Sequence, residues 1–426
     1  GILLDAGHNF EVQKTLFTTF MRMRKKEMVD GLISGALPWP TKHVQGLYDP
    51  NLVKFKMLEI KRAFEHLKAC AADVDSSVKL PKNHPVKENE WKQMNEYFIS
   101  DPTVKFVCVS HAHSDHTGLL KYLHPDIEIF CTPTTEKLMK RLDDYSSNFS
   151  LFHGTAYKPN FFKINDKEYR NFSTTETKKC GNLEITQWPV DHSIPGACGF
   201  TIVKNKKSLL AYTGDLRMHG PKKMKERTES FLDYIKNKKP KVLIIEGTRL
   251  TDEGDGTKGG TVKGKWVEKK ISSKNEKDVF ESLRDILSKN KIKEQKAVFF
   301  DCSQNDLWRL LSFYRAAKES NRILVVRPIQ YILLTEIYAF LSENCDGDCA
   351  DLWDENKNQL DESIKIYLPK KDKGMYAGTD YAAQNNKAIH KVFKYSQEEL
   401  SLKQSALGKG LKKSQKLKEN FISSIN

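Results

Sequence analysis

Ser110-His111-Ala112-His113-Ser114-Asp115-His116 is the stretch on which the reading of this chain turns. It follows Val104-Lys105-Phe106-Val107-Cys108-Val109, a short apolar, β-branched run that predicts a strand buried on both faces. Three imidazoles and a carboxylate within six residues cannot line an apolar core, because each needs a partner to offset its desolvation. At the end of a buried strand they point to metal. His111 and His113 splay toward one ion from an extended strand end, while Asp115 and His116, in the turn before a helix, reach a second ion beside it. Neutral imidazole and carboxylate suit Zn²⁺, with Mn²⁺ the next candidate.

A two-metal site needs further ligands, and two more strand ends offer them. Pro189-Val190-Asp191-His192-Ser193 follows an apolar segment, and Tyr212-Thr213-Gly214-Asp215-Leu216-Arg217 follows a strand at 208–212. Each alone is a weak signal, since an Asp-His pair is commonly surface and a Thr-Gly-Asp is commonly a turn. Behind the histidine cluster, in this order, they gain weight. Upstream, Gly1-Ile2-Leu3-Leu4-Asp5 reads as a strand ending in an acid, as though the chain began inside a fold.

The remaining pattern places these motifs in an α/β chain. Residues 11–36 are helix-compatible until Leu37-Pro38-Trp39-Pro40 breaks them, and a second helical stretch covers 50–72. Ile127 to Cys131 predicts a strand, and Thr132-Pro133-Thr134-Thr135-Glu136 supplies N-cap chemistry for the helix after it. Strands recur from Leu183 to Tyr212, with a Lys204-Asn205-Lys206-Lys207 turn, and Val242 to Ile245 predicts another that ends at Glu246. Residues 251–277, rich in Gly and Lys, predict a flexible surface loop. Beyond it strand and helix alternate: Ala297–Phe300, a helix over Asp306–Glu319 with Leu307, Leu310, Leu311 and Tyr314 on one face, Ile323–Val326, a helix over Ile329–Ser342, and Ile364–Leu368. That alternation predicts a small α/β domain with a largely parallel sheet. Residues 401–426 predict a basic helical surface.

Composition narrows the class. At about 150 residues per domain, 426 residues allow two or three domains with cores of their own, which excludes a disulfide-stapled miniprotein. No apolar run approaches the roughly 18–20 residues of a membrane span, so no membrane partner is expected. The eight cysteines, without a secretory leader, read as thiols of a reducing compartment, and the expected location is cytoplasmic. Lys and Arg number 70 against 55 Asp and Glu, and the resulting +15 suits either a polyanionic partner or plain solubility.

His-x-His-x-Asp-His, then a histidine in Pro-Val-Asp-His-Ser, then Thr-Gly-Asp, resembles motifs two, three and four of the metallo-β-lactamase fold, with Leu3-Leu4-Asp5-Ala6-Gly7 matching motif one. The resemblance implies an α/β fold: the αββα sandwich of that family. It further implies that His111, His113 and His192 hold the first metal, Asp115 and His116 the second, and that Asp215 bridges. Asp5 becomes an acid that orients a ligating histidine. Leu243-Ile244-Ile245-Glu246-Gly247-Thr248-Arg249 resembles motif A of the β-CASP branch, whose members cut nucleic acids and carry an inserted α/β domain after motif four. The expected organisation is a metallo-β-lactamase domain over 1–248 and a β-CASP-type insert over 249–426. Ser303, Gln304 and Arg309 stand where ribonuclease J-like members place residues near the substrate backbone, although Asn305 reads equally as a helix cap. Glu246 is expected to support the site's hydrogen bonding.

The family histidine that completes the second metal site, usually in a Ser-Gly-His context, has no counterpart, and neither have the strands that precede motif one. The expectation is that both ends of the family domain lie outside the sequence, or that a second polypeptide or a homo-oligomer partner supplies the missing parts. The chemistry implied is phosphodiester hydrolysis at two Zn²⁺ ions (Mn²⁺ as alternative), a metal-bound hydroxide attacking phosphorus with Asp115 and Asp215 orienting it. The expected partner is single-stranded RNA. A DNA-directed β-CASP nuclease, a hydrolase of small esters, lactones or thioesters, and a non-catalytic subunit are the alternatives.

Overall fold

A computed structural model of the protein describes residues 1–8, 28–74, 88–145, 160–161, 176–246, 260–262, 265–267, 275–288, 298–303, 305–327, 329–335 and 363–366. Among them no helix is long and apolar enough to cross a membrane. Contacts divide the chain into two compact units, one of Gly1–Cys131 with Ser146–Ile164 and one of Thr132–Tyr145 with Asn165–Asn426.

The first unit is built on a parallel sheet of four strands, β1 (Ile2–Leu4), β2 (Phe106–Cys108), β3 (Glu128–Phe130) and β4 (Asn160–Phe161), in that spatial order. Parallel neighbours need crossovers. The one from β1 to β2 contains α1 (Met28–Ser34), α2 (Pro50–Val74) and α3 (Glu88–Ile99). The apolar run before the histidine cluster does form an inner strand, with Val107 and Cys108 fully buried, although the regular strand is shorter than the run, and the single-turn helix α4 (Ser114–Thr117) follows it. The Leu37-Pro38-Trp39-Pro40 break does more than end a helix. It delivers Trp39 against Phe64 of α2 and Phe98 of α3, at ring-centroid distances of 5.6 and 5.8 Å, and Trp39 Nε1 donates to the Leu32 carbonyl at 3.1 Å. Large aromatic faces at these spacings bury much apolar area per residue, which makes this cluster the core that holds α2 and α3 together.

In the second unit α5 (Pro133–Tyr145) starts as expected, with Thr132 Oγ1 accepting from the Thr135 amide at 3.1 Å. An antiparallel meander follows: β5 (Glu176–Cys180), β6 (Leu183–Pro189), β7 (Cys198–Lys204) and β8 (Lys207–Tyr212). The turn between β7 and β8 has φ of 49° at Asn205 and 63° at Lys206, the doubly left-handed pair whose twist suits a two-residue hairpin. The helix α6 (Lys222–Lys238) crosses over to β9 (Val242–Ile244), which runs parallel to β8. Phe231 of α6 is fully buried against Gly199 of β7, where any side chain would collide with its ring, and stacks on Trp188 at 5.8 Å.

Two sequence expectations change beyond residue 248. The Gly/Lys-rich stretch expected to be loop contains an antiparallel hairpin, β10 (Gly260–Val262) and β11 (Lys265–Val267), and ends at α7 (Glu276–Ser288). Residues 298–300, expected as a strand, are not in one; Val298 and Phe299 are 44% and 47% exposed, and among the described residues no strand pairs with them. The α8 helix (Leu307–Glu319) forms as expected, with Leu307, Leu310, Leu311 and Tyr314 all buried. Its cap is Asp306, whose Oδ1 accepts from the Arg309 amide at 3.1 Å, and not Asn305. The carboxylate sits one position closer to the free amides of the first turn. Then β12 (Leu324–Val326) pairs in parallel with β13 (Ile364–Ile366), with a helix at 329–335 between them. The expected basic surface at 401–426 lies outside the described residues.

Candidate metal centre

In the first unit the site is assembled where β1 and β2 end side by side. Their parallel register, Leu4 opposite Cys108, brings Asp5 beside Ser110 across a separation of 105 residues. Asp5 Oδ1 accepts from the Ser110 amide at 2.6 Å, and Oδ2 accepts from the Ser110 hydroxyl at 2.7 Å and lies 2.7 Å from His116 Nδ1. Asp5 achieves this in a left-handed conformation, φ 56°, that costs a non-glycine residue roughly 1–3 kcal/mol. The three contacts to one buried carboxylate offset that cost. An Nδ1–H held by Asp5 leaves the Nε2 lone pair of His116 facing outward, as a metal ligand requires.

His111 is fully buried, with Nδ1 3.0 Å from Ser110 Oγ and Nε2 2.9 Å from His113 Nδ1. Two imidazole nitrogens facing each other leave room for a shared proton or a shared cation. Around a tetrahedral Zn²⁺ with bonds of ~2.05 Å, two ligand nitrogens stand roughly 3.3 Å apart, so opening by a few tenths of an ångström admits the ion. The His116 ring packs on His111 at 4.0 Å between centroids. Asp115, 44% exposed, stands with a carboxylate oxygen 3.8 Å from His116 Nε2. His111, His113 and His116 belong to groupings of imidazole and carboxylate that could hold a metal ion, and their chemistry fits Zn²⁺.

The turn that carries these residues depends on Gly7. A Cβ there would come within 1.4 Å of the Asp115 carbonyl oxygen, so the strand end and the histidine turn touch backbone to backbone. His8, the residue after Gly7, is buried; burial, then the nearby Lys121 charge, lowers its pKa to about 4.

In the second unit His192 and Asp215 come together at the ends of β6 and β8, with His192 Nε2 3.9 Å from Asp215 Oδ2. Asp215 is presented by a turn in which Gly214 has φ 57° and the Thr213 amide donates to the Ile244 carbonyl of β9 at 3.0 Å. Glu246 Oε1 accepts from the Leu216 amide at 3.0 Å, which places this acid directly behind the Asp215 turn.

Two polar residues within the quoted motifs had been given no role. Ser110 links Asp5 to His111. Asp191, fully buried, accepts from the Gly220 amide at 2.6 Å and from Arg217 Nε at 3.1 Å. Burial raises its pKa to about 6, against the lowering effect of Arg217. The signal was its place before His192, between an apolar segment and a ligand-type residue. Ser303 is exposed, with its Oγ 3.4 Å from the Asn305 amide, and Arg309 places its guanidinium on Glu276 at 2.9 Å. Gln304 lies outside the described residues.

The family model described as "Beta-lactamase superfamily domain" matches residues 91–258. No curated protein matches the chain. Among solved structures, a protein of unknown function from Enterococcus faecalis V583 is 20% identical with a TM-score of 0.50, over 79% of this chain and 61% of that one. The chain therefore spans about three fifths of that relative, and the likeness is one of fold. An N-acyl homoserine lactone hydrolase, solved with N-hexanoyl-L-homoserine at its catalytic metal centre, is 15% identical (TM-score 0.23; 34% of this chain, 54% of that one). A metallo-β-lactamase mutant from Cronobacter sakazakii is 11% identical (TM-score 0.24; 37% and 64%).

Proposed function

We propose that this chain is a metal-dependent hydrolase of the metallo-β-lactamase superfamily, of its β-CASP branch, cleaving phosphodiester bonds in single-stranded RNA; the match of residues 91–258 to a beta-lactamase superfamily domain supports the hydrolase reading. The observation that carries the proposal is the Asp5–His116 contact at 2.7 Å beside the His111–His113 pair at 2.9 Å, a buried donor array oriented by its own acid. His111, His113 and His192 would hold one cation, Asp115 and His116 a second, and Asp215 would bridge. Zn²⁺ suits that set best, and Mn²⁺ is the alternative. Supplied there, two divalent cations acidify a water toward neutrality and offset charge on the phosphoryl oxygens.

The protein's own groups do the positioning. Asp5 keeps the His116 proton on Nδ1, and Ser110 does the same service for His111. Glu246 holds the Leu216 amide and with it the direction of Asp215. Asp115 and Asp215 accept hydrogen bonds from the attacking water and aim it at phosphorus, so no side-chain nucleophile is needed. The thiol of Cys302 is pushed up to about 11 by burial and by Asp306, which keeps it protonated and unreactive at neutral pH. The net charge of +15 supports a polyanionic substrate over a small neutral ester. Ser303 and Arg309, with Gln304, are proposed to lie along the strand of substrate, and the location is proposed as cytoplasmic.

The test is degradation of labelled single-stranded RNA by metal-loaded protein, with Asp115→Ala and His113→Ala as inactive variants. Protein that carries two ions and leaves RNA and DNA intact would sink the proposal; cleavage of DNA alone, or of small esters alone, would replace the substrate with that class.

A further inference from the structure

The loops that carry His192 and Asp215 are gripped by helices from beyond residue 248. The Glu276 amide, first in α7, donates to the His219 carbonyl at 2.9 Å, and the Leu307 amide, first in α8, donates to the Ser193 carbonyl at 3.1 Å. Between them lies a buried ionic network. Glu276 is fully buried, and its carboxylate accepts from Arg309 Nη2 at 2.9 Å and Nε at 3.1 Å, and from Ser312 Oγ at 3.1 Å. Arg217, two residues after Asp215, stands with Nη1 3.8 Å from both Glu276 and Asp306. Its Nε binds Asp191, the residue before His192, at 3.1 Å, and its amide donates to the Asp191 carbonyl at 2.7 Å.

We propose that Glu276 is a positioning residue for the metal centre: through Arg217 and Asp191 it fixes the geometry of His192 and Asp215, so that α7 and α8 form part of the metal-holding apparatus. This rests on the reading of those two residues as ligands. Asp191 and Arg217 are each one or two residues from a ligand; Asp191 pairs with Arg217, and Arg217 in turn faces Glu276 of α7 and Asp306, the cap of α8. A buried carboxylate that satisfies two guanidinium groups and a hydroxyl cannot be neutralised without leaving them unpaired, so the Arg217 side chain must move, and the Asp215 turn with it. Outer partners of metal ligands govern affinity by this kind of restraint.

The experiment is chelator competition for Zn²⁺ on the full chain, well below its unfolding temperature. Glu276→Gln keeps the size of the side chain and removes its charge; it is expected to weaken the more loosely held ion about tenfold or more, with Glu276→Asp recovering part of the loss. Glu281→Gln, on the exposed side of α7, is expected to stay within twofold of the parent protein. On RNA, Glu276→Gln is expected to lower kcat with KM held within about twofold. If Glu276→Gln does not fold, Ser312→Ala removes one hydrogen bond to the same carboxylate and is expected to weaken the ion by roughly threefold. Parent-like affinity in whichever of these variants folds, or equal weakening in Glu281→Gln, overturns the proposal. Parent protein that binds two ions and cuts no nucleic acid defeats the hydrolase reading alone, because Glu276 is judged on metal affinity.

Discussion

Gly7→Ala tests how the candidate metal centre of the first unit is built. Gly7 is not in a left-handed conformation, so what it supplies is space. A Cβ at this position would lie 1.4 Å from the Asp115 carbonyl oxygen, 1.8 Å from its carbon and 2.4 Å from the His116 amide nitrogen, all backbone atoms that cannot swing aside. Restoring the 3.0 Å that real Cβ contacts respect means separating the end of β1 from the His113–His116 turn by about 1.6 Å. Overpacking that side chains can absorb costs ~1–3 kcal/mol, and a backbone obstruction belongs at the upper end of that range. About 3 kcal/mol corresponds to a fall in Tm of roughly 6–12 °C for a unit of this size. The same displacement separates Asp5 from His116, now 2.7 Å apart, so zinc affinity should fall with stability. Thermal unfolding and chelator competition on the same sample read both effects. The contrast is Gly35→Ala, where the new methyl meets nothing within 4 Å and the only cost is the φ of 76°, about 1–2 kcal/mol with no change in zinc. If Gly7→Ala melts within about 2 °C of the parent and binds zinc equally, the close approach of strand end and histidine turn is wrong.

Three further expectations can be checked separately. Asp5→Asn keeps a residue that tolerates the left-handed conformation and removes the charge facing His116; zinc should bind about 10–100-fold more weakly with Tm little changed, as read by competition with a chromogenic chelator. His8, with its folded pKa depressed from 6.5 to about 4, favours folding in its neutral form: its contribution is complete above pH 6.5 and lost as pH falls toward 4. That shift amounts to about 3 kcal/mol, so denaturant unfolding at pH 7 and pH 4.5 should show a loss that His8→Gln removes; a parallel pH profile in that variant would refute it. Phe231→Ala empties the contact on Gly199 and Trp188 and should cost about 3–5 kcal/mol, measured as a lowered denaturant midpoint with unchanged slope.

Periodicity and punctuation were sufficient for most elements. The run before the histidine cluster became β2, the four apolar residues of α8 are buried, and Thr132 caps α5, because each depends on contacts within a few residues or on a face that must be apolar. Failures occurred where the deciding contact was remote. Residues 298–300 are apolar, a valine and two phenylalanines, but a strand needs a neighbour to pair with, and none is provided there among the described residues. The hairpin at Gly260–Val267 arises from pairing that glycine and lysine content does not reveal.

Residue types and their spacing alone identified His111, His113, Asp115 and His116 as metal-type donors, and pointed to His192 and Asp215 as two more. An unmatched imidazole or carboxylate cannot be buried cheaply, so a cluster of them after a buried strand has few physical meanings. Only the tertiary structure decided which groups stand behind those donors. Asp5 meets His116 across 111 residues, Glu246 meets the Asp215 turn across 30, and Glu276 meets Arg309 across 33. Such pairings depend on strand register and on where a helix begins, and neither is encoded in the local spacing of the residues that come to touch.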